Sequence, residues 1–165
     1  MERTASFVLI FLVLTSCATI SSFGAIAGSA STSTRGFSGT IEDGFLLTKV
    51  KAKITSMNLK NFSNITVSVS HNRVLLTGNI DSQENRLDLI RNVWSVSGVK
   101  EVFNEIDIGR GNNFSEKAED FIFETKVENR LLLEPGIYSN NYTVDVVNGN
   151  VYVLGISSSI EEKQK

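Results

Sequence analysis

The sequence predicts an α+β fold built from two copies of one small module, and two observations support this. Similar segments recur at a constant offset of 77 residues: 48–50 at 125–127, 64–67 at 141–144, and 74–78 at 151–155. Within each copy, a stretch of helical periodicity precedes two stretches in which apolar and polar residues alternate as in strands. A constant offset across separated blocks indicates a duplicated structural unit. Each unit is small enough to gain stability from packing on the other.

The chain begins with a predicted secretory signal peptide over residues 1–16. Arg3 precedes an apolar core at residues 7–14 that is too short to span a bilayer. Leu14-Thr15-Ser16-Cys17 follows and resembles a bacterial lipobox, in which the cysteine becomes the lipidated first residue of the mature chain. The alternative is an ordinary signal peptide with an incidental cysteine. Because Cys17 is the only cysteine, an internal disulfide is excluded, and lipidation of its thiol fits an oxidising compartment.

Residues 17–39 are expected to form a flexible tether. Ser, Thr, Gly and Ala dominate this stretch, and such a composition cannot bury a core. The residue after the cysteine is Ala18 and not an aspartate. By similarity to bacterial lipoproteins, this favours sorting to the outer membrane.

Residues 40–109 form the first predicted module, which starts with a helix over residues 43–59. Asp43 is available to cap this helix, and its predicted inward positions are Phe45, Leu46, Val50, Ile54 and Met57. Ile65, Val67 and Val69 alternate with polar residues, as in a half-buried strand. A turn at residues 70–73 then connects to a returning strand at residues 74–77, so the two strands should form a hairpin.

A second helix and a third strand complete the predicted first module. Ser82 opens the helix, and its predicted inward stripe consists of Leu87, Ile90, Val93 and Trp94. Gly98 ends it, as a glycine just past a helix commonly does. The last strand covers residues 99–108, with Val102, Asn104, Ile106 and Ile108 on one face. The resulting order predicts both helices on one face of a three-stranded sheet.

This order and several short motifs resemble the BON domain family. The motifs are Val74-Leu-Leu-Thr-Gly-Asn-Ile, Ser97-Gly-Val-Lys-Glu-Val and Val102-Phe-Asn-Glu-Ile. Together with the lipobox and the repeated Thr-Lys-Val, the two modules resemble the dual-BON outer-membrane lipoproteins of Gram-negative bacteria, the DolP-like group. The similarity runs from about Cys17 to the C-terminus.

The second module, residues 115–165, is expected to be incomplete. A helix over residues 115–133 precedes a hairpin whose turn, Asn148-Gly149, is a strong turn signal. A further helix starts near residue 157, but the offset would place the third strand at residues 176–185, beyond the 165 residues of the chain. Such a sheet has an unpaired edge. Either the product is a remnant, or the first module or another chain fills the gap.

The resemblance implies a non-enzymatic lipoprotein that faces the periplasm and supports outer-membrane integrity. It also implies that the first helix of the second domain binds anionic phospholipid. The matching positions are Phe121, Ile122, Phe123, Lys126, Val127, Arg130, Leu131 and Leu132. Apolar side chains of such a helix can enter the headgroup boundary while basic ones meet phosphates.

Two features oppose this lipid-binding interpretation. The helix is acidic overall because it carries Glu119, Asp120, Glu124 and Glu128. In addition, the domain that supports the helix is incomplete. The alternative to lipid contact is that Phe121, Phe123 and Leu131 pack against the sheet or the first module. The alternative function is that of an envelope protein-interaction module that acts by strand addition at the open sheet edge.

The sequence offers no catalytic or metal-binding constellation. His71 is the only histidine and sits in a predicted turn, so neither a metal site nor a histidine-based triad is supported. No cofactor motif is present, and a hydrolase is disfavoured because no nucleophile has a plausible base. The formal net charge of −2 argues against a nucleic-acid partner.

Overall fold

The computed structural model describes residues 36–57, 62 and 64–165, and it confirms the α+β class and the tandem arrangement. The first module contains α1 (Gly36–Ser56), β1 (Ile65–Ser70), β2 (Arg73–Ile80), α2 (Gln83–Trp94) and β3 (Glu101–Ile108). The second contains α3 (Phe114–Leu133), a short 3₁₀ helix (Ser139–Asn141), β4 (Tyr142–Val147), β5 (Asn150–Gly155) and α4 (Ile160–Lys163). The predicted signal peptide, Cys17 and most of the predicted tether lie outside the described residues. Among the described helices, none combines the length and the apolar character needed to cross a membrane.

The first module is the predicted three-stranded sheet with both helices on one face. β1 pairs antiparallel with β2, and β2 pairs parallel with β3 in the order β1-β2-β3. The core lies between this sheet and the two helices, where Val50 and Ile54 of α1 meet Leu89 and Val93 of α2. Because apolar residues alternate along β1, one face of that strand supplies Val67 to the core.

Three of the predicted inward residues are exposed, so those assignments are wrong. Phe45, Leu87 and Trp94 lie at the surface, whereas Leu46, Leu89 and Val93 are buried. Each helix has more apolar residues than one core-facing stripe can hold. A residue one position along the helix is rotated by about 100°, so burying Leu46 turns Phe45 away from the sheet.

Asp43 does not cap α1, because the helix begins seven residues earlier, at Gly36, within the stretch predicted as tether. Instead its carboxylate accepts hydrogen bonds from the backbone N–H groups of His71 (2.8 Å) and Asn72 (2.9 Å). Both turn residues have a positive φ, as a two-residue hairpin turn of this type requires. The aspartate therefore holds the β1–β2 turn against the first helix of the module.

The second module repeats this device at the predicted offset. Asp120 of α3 accepts hydrogen bonds from the N–H groups of Asn148 (3.0 Å) and Gly149 (2.9 Å) in the β4–β5 turn. These three residues correspond to Asp43, His71 and Asn72, each displaced by 77 positions. The same contact in both copies supports the repeat independently of sequence similarity.

The two modules pack with their sheets back to back. Ser68 on β1 donates a hydrogen bond of 2.7 Å to the carboxylate of Asp145 on β4, and both side chains are buried. The two residues occupy equivalent positions in the two copies, so equivalent strands of the two modules face each other at this contact. Ser68, on the polar face of β1 that is expected at the surface of a half-buried strand, is thus covered by the second module, whereas Thr66 on the same face stays exposed. From one side to the other, the layers are α1 with α2, the first sheet, the second sheet, and α3.

Candidate functional site

The predicted lipid-binding helix, α3, starts at a well-formed cap. The side chain of Asn113 accepts a hydrogen bond from the N–H of Glu116 (3.0 Å), and the Glu116 carboxylate accepts one from the N–H of Asn113 (2.8 Å). This reciprocal pair satisfies two donors that the first helical turn leaves open. The helix packs across β4, with Val127 and Leu131 half-buried on its sheet side.

Four of the eight predicted site residues lie along one side of α3, outside the inner side that packs on the sheet. Ile122, Phe123, Lys126 and Arg130 are all exposed there, and Ile122 is 54% exposed. Leu133 joins them, because residues 122, 126, 129 and 133 share one side of a helix, and it is 78% exposed. We call these five residues the outer face of α3. Leu133 is not among the eight predicted site residues, although its spacing from Ile122 was the signal for it.

The other four predicted residues are not part of the outer face. Phe121 and Leu132 are exposed but lie on the flank of the helix. Phe121 borders a cleft of about 230 Å³ whose opposite wall is formed by Ile65 and Gly78 of the first module. Val127 and Leu131 face the second sheet. The structure therefore divides the predicted site into an outer, a flanking and an inner group.

Two of the acidic residues that made α3 look unsuited to an anionic surface are turned inward. Asp120 holds the β4–β5 turn, and the Glu124 carboxylate accepts a hydrogen bond of 3.2 Å from the N–H of Val146. Burial raises the pKa of Glu124, and this backbone hydrogen bond partly offsets the increase. Glu128 lies beside Leu132 on the flank. The net charge of the whole helix is therefore a poor guide to the charge of its outer face.

The outer face carries two basic side chains close to its apolar ones. Lys126 lies between Ile122 and Leu133 along the helix, and Arg130 pairs with Glu134 at 3.3 Å while remaining 83% exposed. An ion pair this exposed is weak and readily exchanged for another anionic partner. The outer face thus combines apolar side chains with exposed positive charge.

A second exposed surface lies on β5, on the side of the sheet that α3 covers. Val151 and Val153 are 39% and 52% exposed. A neighbouring cleft of about 410 Å³ is lined by Leu131, Tyr142, Ile156 and other residues up to Lys165. α4 borders this cleft and supplies Glu162, whose carboxylate accepts hydrogen bonds from the N–H groups of Tyr138 and Ser158. Burial alone would raise the pKa of Glu162, but these bonds and the Tyr142 hydroxyl together lower it.

The profile of the BON domain matches residues 43–110 and 119–165, which coincide with the two modules of the structure. The chain belongs to the BON domain family. It is 39% identical over 123 residues to an uncharacterised protein of Anaplasma centrale, an alignment that covers 74% of this chain and 80% of that protein. It is also 26% identical over 133 residues to the outer membrane lipoprotein DolP of Haemophilus influenzae, covering 80% of this chain and 69% of DolP.

Membership of the BON family confirms the resemblance that the motifs indicated. Both matched segments begin near the aspartates that hold the hairpin turns, Asp43 and Asp120. Within the described residues, no three His, Cys, Asp or Glu side chains are grouped in a way that could hold a metal ion. The exposed surfaces of the second BON module are therefore the features from which a function can be argued.

Proposed function

We propose that this BON protein is a non-enzymatic, lipid-anchored component of the bacterial outer membrane that binds anionic phospholipid through the outer face of α3. The observation that carries the proposal is the outer face itself, with exposed Ile122 and Leu133 beside exposed Lys126 and Arg130. All five side chains of the outer face are exposed with both modules in place, so the packing of the two modules leaves it accessible.

The energetic argument combines burial of apolar side chains with electrostatic attraction. Moving one aliphatic side chain from water into the headgroup boundary contributes up to about 1.5–3 kcal/mol. Each basic residue near an anionic surface adds about 1 kcal/mol at moderate ionic strength. Exposed Glu119 and Glu128 oppose this attraction, whereas Asp120 and Glu124 oppose it less because their carboxylates are turned toward the hairpin. The outer face therefore favours anionic over zwitterionic lipid.

The N-terminal sequence and a relative supply the proposed location. Leu14-Thr15-Ser16-Cys17 has the form of a lipobox, and the similar DolP of Haemophilus influenzae is an outer membrane lipoprotein. Acylation of Cys17 by more than one chain would give a stable anchor. We place the modules on the periplasmic side, where lipid binding by α3 would bring the second module to the membrane and support its integrity.

Two adjacent leucines on α3 provide a matched test. Leu133 belongs to the outer face and Leu132 to the flank, and both are exposed. We expect Leu133→Ser to weaken binding to phosphatidylglycerol vesicles by about tenfold, or 1.4 kcal/mol, and Leu132→Ser to leave it nearly unchanged. Equal losses from the two variants would contradict the assignment of the outer face. Replacing Lys126 and Arg130 by Gln should abolish the preference for anionic vesicles.

A second candidate function is protein interaction through β5. The specific observation in its favour is that β5 pairs with β4 alone among the described strands and exposes Val151 and Val153. An unpaired strand edge beside an apolar surface is a common site for strand addition. Binding of a protein segment there is compatible with lipid binding by α3, because the two surfaces are formed by different residues.

A further inference from the structure

A cleft on the flank of α3 lies at a place that a phenylalanine fills in the first module. The cleft has a volume of about 260 Å³ and is bordered by the second half of α3, the 3₁₀ helix and the start of β4. All of its lining residues fall between positions 128 and 144, and they include Glu128, Leu131, Leu132, Ser139, Tyr142 and Val144. Each of these positions has a counterpart 77 residues earlier, so the two copies can be compared directly at this place.

In the first module, the equivalent place belongs to the core. Ser139 corresponds to Phe62, which comes just before β1 and is only 7% exposed. Phe62 lies in one core cluster with Ile54 and Val67, and Ile65 packs against that cluster. The counterparts of these three neighbours are residues that line the cleft in the second module: Leu131, Val144 and Tyr142. The cleft therefore has the walls of a phenylalanine site, with a serine at the position of the phenylalanine.

The volume and the walls of the cleft suit a small aromatic ring. A serine in the place of a phenylalanine removes one benzyl group and leaves a hydroxyl at the wall. Apolar cavities of about 150 Å³ bind benzene, and the cleft is larger than that. Leu131, Leu132 and Val144 provide apolar walls for a ring. The cleft can therefore hold a phenyl ring together with a short substituent.

The rim of the cleft also differs from the first module in its charge. Glu128 stands at the position of Lys51, so an acidic residue replaces a basic one at equivalent places in the two copies. Glu128 is exposed and lines the cleft. A carboxylate beside an apolar site attracts a cationic ligand and repels an anionic one. The hydroxyl of Ser139 adds a hydrogen-bond acceptor for an ammonium group on the 3₁₀ helix.

We propose that this cleft, which we call the Ser139 cleft, binds a small organic cation that carries a phenyl-sized ring. The ring takes the place that the Phe62 side chain has in the first module, against Leu131 and Val144, and the cationic group faces Glu128. This inference goes beyond the proposed lipid binding and does not depend on it, because the residues that line the cleft are not those of the outer face of α3.

The test is a titration of the chain from Ala18 onward with phenethylammonium, followed by amide-resolved NMR spectroscopy. We expect a dissociation constant of about 1 mM or less, with the largest shifts at residues 128–144. Phenylacetate has the same ring but carries a carboxylate, and it should bind at least about tenfold more weakly. Butylammonium has the charge but lacks the ring, and its affinity should be lower by a similar factor.

Two variants test the ring site and its rim separately. Ser139→Phe restores the residue of the first module, so its ring should fill the cleft and abolish phenethylammonium binding without lowering the melting temperature. Glu128→Gln should reduce the preference for phenethylammonium over phenylacetate by at least about fivefold. Glu119→Gln is the matched control, because it removes an exposed carboxylate of α3 that does not line the cleft, and it should leave that preference unchanged.

Two adjacent leucines separate this inference from the proposed function. Leu132→Ser should weaken phenethylammonium binding and leave vesicle binding nearly unchanged, whereas Leu133→Ser should do the reverse. Because Leu132 is 65% exposed, its substitution should leave the fold intact. Absence of phenethylammonium binding would overturn the proposal, as would equal binding of phenylacetate. Wild-type affinity in a folded Ser139→Phe or Leu132→Ser variant would overturn it too, and vesicle binding is unaffected by any of these outcomes.

Discussion

Replacing Ser68 by Ala removes a hydrogen-bond donor from the buried carboxylate of Asp145 at the interface between the two modules. Ser68 donates to Asp145 at 2.7 Å, and Asp145 is only 8% exposed. A hydrogen bond to a charged group contributes about 1.5–3 kcal/mol. In a chain of this size, each kcal/mol shifts the melting temperature by about 2–4 °C. We therefore expect Ser68→Ala to lower the melting temperature at neutral pH by about 3–12 °C.

The effect should depend on pH, with a sign set by Asp145. Burial raises the pKa of Asp145, while the Ser68 hydrogen bond and the charge of Lys51 partly counteract the increase. When folding raises the pKa of a carboxyl group, the protonated group stabilises the folded state. This stabilisation is fully present below the pKa of the unfolded state, about 3.9 for aspartate, and it is lost as the pH rises through the pKa of the folded state. Asp145→Asn should therefore match the wild type near pH 4 and be the more stable protein at neutral pH.

Thermal unfolding followed by circular dichroism across this pH range is the assay. Near pH 4, where the Asp145 carboxyl becomes neutral, the cost of Ser68→Ala should fall to about 0.5–1.5 kcal/mol. Ser70→Ala is the matched control, because Ser70 is also buried on β1 but its hydroxyl contacts His71. Equal losses from the two serine variants, or a loss from Ser68→Ala that does not change with pH, would refute the reasoning.

Three further predictions concern contacts within the modules. Asp120→Ala should lower the free energy of unfolding by about 1–3 kcal/mol, because it removes the acceptor for two N–H groups of the β4–β5 turn. Asp43→Ala should lower it by a similar amount, and a urea titration of both variants checks this equivalence. Glu162→Gln should destabilise the protein at neutral pH. Folding lowers the pKa of Glu162, so its carboxylate stabilises the folded state above the unfolded pKa and this contribution is lost in acid. The difference in stability between the variant and the wild type should therefore disappear below about pH 4. Gly78→Ala should cost more than about 3 kcal/mol, since φ is +115° and the new Cβ would lie 2.0 Å from the Asn64 carbonyl oxygen; a melting temperature close to the wild type would contradict that geometry.

The duplication and the hairpins could be predicted from sequence because their signals are local. The Asn148-Gly149 turn has the positive φ values that these residues tolerate best, and Ser82 caps α2 as expected. Local signals also gave the start of α3 to within one residue of Phe114. By contrast, Leu87 and Trp94 were assigned to the core because α2 offers several apolar residues, and only the position of the sheet selects among them.

The packing of the modules on each other could not be predicted from the residues that form it. Ser68 and Asp145 alternate with valines along their strands, a pattern that ordinarily marks a solvent-facing side. Their burial depends on a contact between residues 77 positions apart in the chain. The same limit applies to α3, where the acidic composition hid the fact that Asp120 and Glu124 are bound to the backbone of the hairpin.

Co-flotation of the chain from Ala18 onward with phosphatidylglycerol and with phosphatidylcholine vesicles tests the central claim most directly. Circular dichroism should first show that the chain is folded. The outer face of α3, with Lys126 and Arg130 beside exposed Ile122 and Leu133, predicts flotation with the anionic vesicles and little or none with the zwitterionic ones. A folded chain that floats with neither, or equally with both, would contradict the claim that α3 recognises anionic phospholipid.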